Sequence, residues 1–272
     1  MYDKFIAHKN WIFRGLLFFF LFIVLKDKCL DYKEKWFIHC LNKFKTLDKN
    51  KRFSIKDEDF YKCLDDNTRL TPFDTHYEYH QAWAARCVRK INPKKHIDIS
   101  SRITFNVIVS AFVPVDFYDY RPAKIQNLSG LKCKEADLTN LHFKSGSVES
   151  LSCMHTVEHI GLGRYGDEID PEGDLKAIEE LKRVVAPGGN LLFVVPIGIP
   201  RIQYNAHRIY SYDMIMSYFD DFELINYSLI PDNAKNTGII NNAGKDLTDN
   251  QKYGCGCFWF KKRIVSKETV KN

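Results

Sequence analysis

DLKAIEELKRVVAPGGNLLFVVP (174–196) is the stretch that decides the fold class of this chain. Its first half places apolar residues on one face at helical spacing, namely Leu175, Ile178, Leu181 and Val185. Pro187, Gly188 and Gly189 then end the helix, and an uninterrupted apolar run follows. The stretch therefore predicts a helix, a turn and a buried strand, which is the repeating unit of a mostly parallel α/β sheet.

Apolar runs on both sides of this unit extend the alternation. The runs before it are HIDIS (96–100), VPVDFYDY (113–120), LKCKEADL (131–138) and SVESLSCMH (147–155), and those after it are ELINYSLI (223–230) and CGCFWFKK (255–262). HYEYHQAWAARCVRKI (76–91) predicts a helix that Asn92-Pro93 ends. We therefore expect an α/β domain over residues 77–262, in which two closing strands follow the fifth, and a short tail over 263–272.

The N-terminus contains the most hydrophobic stretch, WIFRGLLFFFLFIVL (11–25). Its uninterrupted apolar part, Gly15 to Leu25, is shorter than the ~20 residues that span a bilayer. Three interpretations stay open for residues 1–30: a membrane-surface anchor, a marginal tilted span, or a helix buried against the domain. Residues 31–76 are expected to form a helical lead-in. We expect a cytoplasmic protein, with peripheral contact to the inner face of the membrane through residues 11–28 as the anchor alternative.

Composition and cysteine spacing exclude several classes of function. The chain is 45% hydrophobic and 27% charged, which is typical of a globular protein, and its net charge of +6 is spread without a compact basic block. We therefore expect no nucleic-acid partner. The eight cysteines include no CxxC pair, so free thiols in a reducing compartment are expected, and no metal. Cys255 and Cys257 share one strand face, where core packing is favoured over a metal or redox pair.

Acidic and polar residues follow the predicted strands at the edge where ligands bind in open α/β sheets. Asp98 lies in the first strand, Asp119 and Asp137 end the second and third, and Met154 and His155 end the fourth. A carboxylate after the second strand is well placed to accept hydrogen bonds from two ribose hydroxyls. Asp119 is therefore the first candidate for a cofactor contact, and the alternative is a salt bridge with neighbouring Arg121.

Several of these segments together resemble a known superfamily. HIDIS, the Asp119 acid, EADLTNLHF, SVESLSCMHTVEHI and ELKRVVAPGGNLLFVVP are similar in order and spacing to class I S-adenosylmethionine-dependent methyltransferases. EHIGLGRYGDEIDPEGDLKA and NAHRIYS resemble the domain-of-unknown-function family DUF268, a methyltransferase-like family of bacterial surface-polysaccharide gene clusters. The resemblance covers residues 77–262. It implies a Rossmann-like, seven-stranded, mostly parallel sheet with an antiparallel last strand.

The resemblance also implies S-adenosylmethionine as cofactor, lying across the tips of the first, second and fourth strands. The expected cofactor residues are Asp98, Ser100, Ser101, Asp119, Asp137, Leu138 and Met154. In the superfamily a glycine-rich loop follows the first strand, whereas DISSRITF contains no glycine. Ser100 and Ser101 stand in its place; serine is small and can hydrogen-bond a carboxylate, but side-chain-free approach and positive φ are no longer easy options for the backbone.

Two further segments supply the candidates for chemistry on an acceptor. The expected catalytic residues are His155, Glu158, Asp167 and His207, with either histidine as the base and an acid orienting it. The expected acceptor contacts are Arg164, Tyr165, Asn205 and Arg208. HTVEH (155–159) also fits the HxxEH zinc-protease pattern, but it follows a strand directly and stops at glycines, which argues against a long zinc-binding helix.

The sequence therefore supports two hypotheses about function. The first is a methyltransferase acting on a small molecule or glycan, such as a sugar in surface-glycan biosynthesis. The alternative is a catalytically silent domain of the same fold that serves as a binding or assembly module, and the missing glycines are the reason to keep it. Binding of S-adenosylmethionine or S-adenosylhomocysteine would distinguish the two.

Overall fold

The computed structural model of the protein describes residue 28 and residues 30–264. The membrane contact predicted for residues 11–28 lies almost entirely outside the described residues, as does most of the predicted tail. No helix in the described part of the chain has both the length and the hydropathy needed to cross a membrane. The chain divides into two compact units, Met1–Pro72 and Phe73–Asn272.

The described part of the first unit contains one long helix and little core. Helix α1 covers residues 30–47, and a single 3₁₀ turn follows at Asp57–Asp59. The rings of Phe37 and Phe60 meet edge to face at 5.6 Å, and Lys62 pairs with Glu34 at 2.8 Å. None of its described side chains is buried, so these contacts are exposed and contribute little stability.

The second unit is built on an eight-stranded sheet with the strand order β3-β2-β1-β4-β5-β10-β8-β9. Its strands are β1 (His96–Ile99), β2 (Val115–Asp119), β3 (Leu131–Glu135), β4 (Val148–Met154), β5 (Val185–Ile197), β8 (Phe222–Ile230), β9 (Ile240–Asn241) and β10 (Gly254–Lys262). Strands β1 to β5 pair in parallel, and β10 runs antiparallel between β5 and β8. The predicted Rossmann-like sheet with an antiparallel last strand is confirmed.

Two strand features go beyond the seven strands expected. The two-residue strand β9 adds an eighth strand at the edge, antiparallel to β8. A separate hairpin consists of β6 (Arg201–Gln203) and β7 (His207–Ile209) and includes most of the segment around NAHRIYS. Strands of two or three residues are too short to show the period-two alternation by which strands are predicted.

Helices cover both faces of the sheet. They are α2 (Thr75–Ile91), α3 (Ile103–Val109), α4 (Gly173–Val184), α5 (Tyr212–Tyr218), α6 (Ala234–Thr237) and α7 (Lys245–Asp249). The carboxylate of Asp74 accepts from the backbone N–H of Tyr77 and so caps α2. The HTVEH segment forms a strand end and a 3₁₀ turn, Val157–His159, rather than the long helix of a zinc protease.

Alternation along β10 shows how the sheet separates two cores. Cys255, Cys257 and Trp259 pack with α2 and α3, whereas Phe258 and Phe260 pack on the opposite face with α4 and α5. The two thiols share one face, as the alternation predicts, and their sulfur atoms lie 4.0 Å apart. One face of α2 therefore packs on the sheet directly beside these cysteines. This packing determines which α2 side chains lie near the carboxyl ends of the parallel strands.

Candidate functional site

Two adjoining cavities lie at the carboxyl edge of the parallel strands. The first has a volume of about 490 Å³ and includes Asp119, Asp137 and Leu138 in its lining. The second has a volume of about 1140 Å³ and lies towards α2. Both are lined by Ser100, His155, His159 and Tyr165. These four residues therefore form the junction between the two cavities.

Two carboxylates follow neighbouring strands in the first cavity. Asp119 accepts a hydrogen bond from the backbone N–H of Arg121 through Oδ1, at 2.7 Å. The Arg121 guanidinium lies over the ring of Tyr165 at 4.7 Å, so the salt bridge considered for Asp119 is not what holds it. Asp137 uses Oδ1 for the N–H and the hydroxyl of Thr139, at 2.8 and 2.7 Å. Among the described residues each Oδ2 has no hydrogen-bond donor, which leaves one oxygen of each acid for a ligand.

The turn after β1 adopts a left-handed backbone without a glycine. Ser100 has φ +56°, in the left-handed region that normally costs a non-glycine residue roughly 1–2 kcal/mol. Positive φ is therefore present at this turn, at the cost that a serine carries there. Asp98 fixes this turn because its Oδ1 accepts from the N–H of Ser101 at 3.1 Å and from Nδ2 of Asn106 at 2.9 Å.

Asp98 and Ser101 support the turn from inside the protein. Asp98 is fully buried and also accepts from the hydroxyl of Ser152, and burial raises the pKa of its carboxyl to about 6. The hydroxyl of Ser101 accepts from the N–H of Met154 at 3.1 Å. Neither Asp98 nor Ser101 lines either cavity of the described structure, and Met154 lines the second cavity rather than the first. The expected cofactor contacts at the first cavity thus reduce to Ser100, Asp119, Asp137 and Leu138.

His155 lies at the junction and is held by a buried carboxylate. Its backbone has φ +54°, and its ring Nδ1 donates to Oε1 of Glu158 at 2.9 Å. Its Nε2 lies 3.4 Å from the sulfur of Cys255. Burial raises the pKa of Glu158, but the hydrogen bond and charge of His155 outweigh burial, so the net pKa is lowered. The pair predicted between His155 and Glu158 therefore forms.

Stacked aromatic rings extend from His155 along the second cavity. The ring of His76, from α2, is 5.6 Å from that of His155 and 4.9 Å from that of Tyr253. Tyr253 in turn stacks on His207 at 4.8 Å. Burial lowers the pKa of His76 to about 4, so that its imidazole is neutral at physiological pH. The column thus connects His155 and His207, which line the same cavity.

The rim of the second cavity is built on the β6–β7 hairpin. His159 and Arg164 both donate to the carbonyl oxygen of Ala206, at 2.6 and 3.0 Å. His207 donates through Nε2 to Oε1 of Gln203 at 2.6 Å. Burial lowers the pKa of His207, which favours its neutral form. Nδ1 is then the basic nitrogen of this imidazole.

Two predicted site residues, Asp167 and Arg208, have other roles in the structure, and a third, Asn205, lies outside both cavities. Asp167 lines the first cavity, but its carboxylate accepts from the N–H groups of Gly161, Gly163 and Tyr165 and so folds its own loop. The Arg208 guanidinium is buried, donates to the carbonyl of Ile160 at 2.6 Å and pairs with Asp174 at 3.4 Å. Asn205 is exposed. Neither Arg208 nor Asn205 lines either cavity of the described residues.

Several residues at the site escaped prediction. His76 and Tyr77 come from α2, Arg102 follows the Ser100 turn, and Tyr253 precedes β10. The only available signal was HYEYH (76–80), which puts His76 and His80 one helical turn apart. Nothing local connects that helix to β4 or β10, because the contacts form only when α2 lies on the sheet.

Comparison with known proteins places part of the chain in a described family model. The model of "Caenorhabditis protein of unknown function, DUF268" matches residues 125–253, which confirms the resemblance to that family. No curated protein sequence matches the chain significantly.

Among solved structures, YcgJ from Bacillus subtilis is 15% identical, with a TM-score of 0.48 over 69% of this chain and 99% of that one. The N-methyltransferase NodS from Bradyrhizobium japonicum WM9, in complex with S-adenosyl-L-homocysteine, is 14% identical, with a TM-score of 0.48 over 74% of this chain and 93% of that one.

Proposed function

We propose that this protein is an S-adenosylmethionine-dependent methyltransferase. The observation that carries the proposal is the pair of cavities that meet at Ser100 and His155, at the ends of the paired strands β1 and β4. Methyl transfer is an in-line displacement, so its rate depends on holding donor and acceptor on opposite sides of the transferring carbon. Two cavities with a common junction provide that arrangement.

The first cavity fits the donor. Its volume of about 490 Å³ is within the usual range for small-molecule sites. Asp119 has a free carboxylate oxygen at the end of β2, where it would accept from the ribose hydroxyls, and Asp137 has one at the end of β3. The left-handed turn at Ser100 would bring its backbone and hydroxyl to the methionine part. S-adenosylmethionine supplies an electrophilic methyl group on a sulfonium.

The second cavity supports a hydroxyl acceptor, for which we propose a sugar. Tyr77 presents ring surface, and Arg102, Asp232 and Lys235 present charge, a mixture that suits a polyhydroxylated ring with an apolar face. A hydroxyl acceptor needs a base, and His207 supplies one because Gln203 holds its Nε2–H and leaves Nδ1 to accept the proton. Gln203 thus takes the orienting role that was expected of an acid.

Calorimetry with S-adenosylhomocysteine tests the donor site. The wild type should bind, and Asp119→Ala should weaken binding by about 1.5–3 kcal/mol through lost charge-assisted hydrogen bonds. Glu135→Ala is the matched control, because Glu135 pairs in register with Asp119 on the adjacent strand yet lies outside both cavities. Wild-type protein that binds neither S-adenosylmethionine nor S-adenosylhomocysteine would refute the proposal.

Transfer of a labelled methyl group to a panel of free and nucleotide-linked sugars tests the acceptor. The expected result is product formation that His207→Ala abolishes while S-adenosylhomocysteine affinity stays unchanged. Donor binding without transfer to any acceptor class would support the silent binding module instead.

A further inference from the structure

We infer that His76, His155 and Cys255 form a zinc-binding site between α2, the end of β4 and the start of β10. One potential ligand atom from each residue lies within 4.8 Å of the other two. Nε2 of His155 is 3.4 Å from the sulfur of Cys255. Zinc–sulfur and zinc–nitrogen bonds of about 2.3 and 2.0–2.1 Å in a tetrahedron place ligand atoms roughly 3.3–3.6 Å apart. An inward movement of the three groups, with rotation of the stacked His76 and His155 rings so that both nitrogens face one point, would complete the coordination.

The surroundings of His155 fit a metal ligand in particular. Histidines that bind metals usually donate their second N–H to a carboxylate, which fixes the tautomer and increases the basicity of the ligating nitrogen. Here Nδ1 donates to the buried carboxylate of Glu158 at 2.9 Å. The unprotonated Nε2 thereby faces the sulfur of Cys255, and the ion would lie between these two atoms.

Two buried polar atoms near these ligands have no hydrogen-bond partner among the described residues. They are Oε2 of Glu158 and Nε2 of His80, and both side chains are fully buried. The ring of His80 is 5.0 Å from that of His155. Buried polar atoms are nearly always satisfied, so two exceptions beside one histidine call for an explanation. A divalent cation bound to His155 would offset the buried charge of Glu158.

The ligand set favours zinc and leaves one coordination position open. Two imidazoles and one thiolate suit a borderline-soft ion, which excludes magnesium and calcium because both prefer oxygen. His76 and His155 line the second cavity, so the fourth position of a tetrahedral ion is accessible to water or another ligand there. Three protein ligands with an open position are the arrangement of catalytic rather than structural zinc sites.

This site differs from the zinc motif that the sequence contains. HTVEH would use His155 and His159 together on one helix, but the segment forms a 3₁₀ turn, and among the described residues His159 does not belong to the ligand cluster. The partners of His155 come from distant segments instead, and Cys255 is a ligand rather than only a core residue. The inference does not depend on methyl transfer, since the ligands are defined without reference to the first cavity.

Cobalt spectroscopy of the full-length protein, stripped of metal by chelation, tests the inference directly. Titration with Co²⁺ should give one ion per chain, with the intense visible bands of tetrahedral cobalt and a thiolate-to-cobalt charge-transfer band in the near ultraviolet. Zn²⁺ should displace it. Cys255→Ser should abolish the charge-transfer band, whereas Cys87→Ser, which alters another buried thiol in the same core, should leave it unchanged.

Two histidine variants and one positioning variant complete the test. His76→Ala and His155→Ala should each lose the tetrahedral spectrum, and His142→Ala is the control outside the site. Glu158→Gln should keep the thiolate band but weaken Co²⁺ binding by about 10–100-fold, as expected for a group that orients a ligand.

Absence of cobalt binding to the wild type would overturn the inference, as would bound cobalt without a thiolate band or a band that survives Cys255→Ser. If a variant fails to fold, the wild-type spectrum alone still decides, because the thiolate band reports cysteine ligation without any substitution.

Discussion

Replacing Asp98 by asparagine should make the protein gain stability relative to the wild type as pH rises towards neutral. The carboxyl of Asp98 is fully buried, and burial raises its pKa from 3.8 to about 6 in spite of hydrogen bonds from Ser152, Asn106 and Ser101. Ionised Asp98 is therefore a buried charge that the folded protein holds at a cost. Asparagine has the same shape without the charge.

The hydrogen bonds around position 98 can survive this substitution. The amide oxygen of asparagine can still accept from the N–H of Ser101 and from Asn106. The amide nitrogen would replace the oxygen that now accepts from Ser152. Ser152 can instead donate to Nε2 of His96, which lies 2.8 Å away, if His96 shifts its proton to Nδ1 and donates it to Ser150, also at 2.8 Å. The hydroxyl of Ser150 then loses His96 as its acceptor, and the second N–H of the new amide has no acceptor among the described residues. This cost does not depend on pH.

The pKa shift sets the size and sign of the effect. A carboxyl with a raised folded-state pKa contributes stability that is fully present below pH 3.8 and is lost as pH rises through about 6. A shift of about two pKa units corresponds to about 3 kcal/mol, at about 1.4 kcal/mol per unit. About half of that, roughly 1.4 kcal/mol, falls between about pH 5 and about pH 8. The advantage of Asp98→Asn over the wild type should therefore grow by that amount across this interval.

Urea unfolding of both proteins at several pH values measures this growth, provided that the slopes with denaturant agree. Asp116→Asn is the control with the opposite sign. Burial raises the pKa of Asp116, but Lys134 and Lys95 outweigh it and the net pKa is lowered, so the deficit of that variant should shrink as pH falls. A stability difference between Asp98→Asn and wild type that does not change with pH would refute the reasoning.

Three further predictions concern the serine turn, the buried arginine and the N-terminus. In thermal unfolding, Ser100→Gly should stabilise the protein by about 0.5–1 kcal/mol, because glycine relieves the strain of the left-handed backbone. Ser101→Gly should destabilise it by about 1 kcal/mol, because the hydrogen bond to Met154 is lost. Equal effects of the two variants would contradict the role of φ. Arg208→Met should lower the free energy of unfolding by about 3 kcal/mol, because it leaves Asp174 buried without its ion pair. An unchanged melting temperature together with a higher KM for the acceptor would show that Arg208 binds substrate after all. The full chain should sediment with anionic lipid vesicles and a chain starting at Asp74 should not; equal sedimentation would contradict an N-terminal anchor.

Local patterns were sufficient to predict the sheet and its order of elements. Helical spacing over residues 174–185 and the apolar runs are properties of neighbouring residues, and neighbouring residues determine helices and strands of ordinary length. The turn expected at Pro187, Gly188 and Gly189 is wrong, because the helix ends at Val184 and these residues lie inside β5 (Val185–Ile197), where its register with β4 shifts. The acids after β2 and β3 were also predictable, because a parallel sheet brings all its carboxyl ends to one edge. The short strands β6, β7 and β9 were not, because two or three residues carry no periodicity.

The rest of the site depends on contacts between distant segments. Cys255 meets His155 across 100 residues of sequence, and His76 reaches both only because α2 packs on the face of β10 that carries Cys255. Arg208 and Asp167 were expected at the ligand because their segments follow strands at one edge of the sheet and the loop of Asp167 is dense in charge. Asp167 instead accepts from backbone N–H groups of its own loop, and Arg208, on β7, donates to backbone carbonyls at the two ends of that loop. Residue type identifies which groups can act, whereas packing determines which of them are already engaged.

The glycine-less turn bears on the choice between enzyme and silent module. Ser100 and His155 are both left-handed, and they directly follow the adjacent strands β1 and β4, one register position apart, since Ile99 is in register with Cys153. Such strain persists only where the surroundings fix it, and here the N–H of Ser100 donates to the carbonyl of Tyr118 at 2.7 Å and that of His155 to the carbonyl of Val194 at 2.8 Å. Backbone strain of this kind clusters at ligand sites and switch regions, and here it lies at the junction of the two cavities. The substitution of serine for glycine therefore exchanges backbone freedom for a fixed polar side chain, which is a change that a ligand site can use.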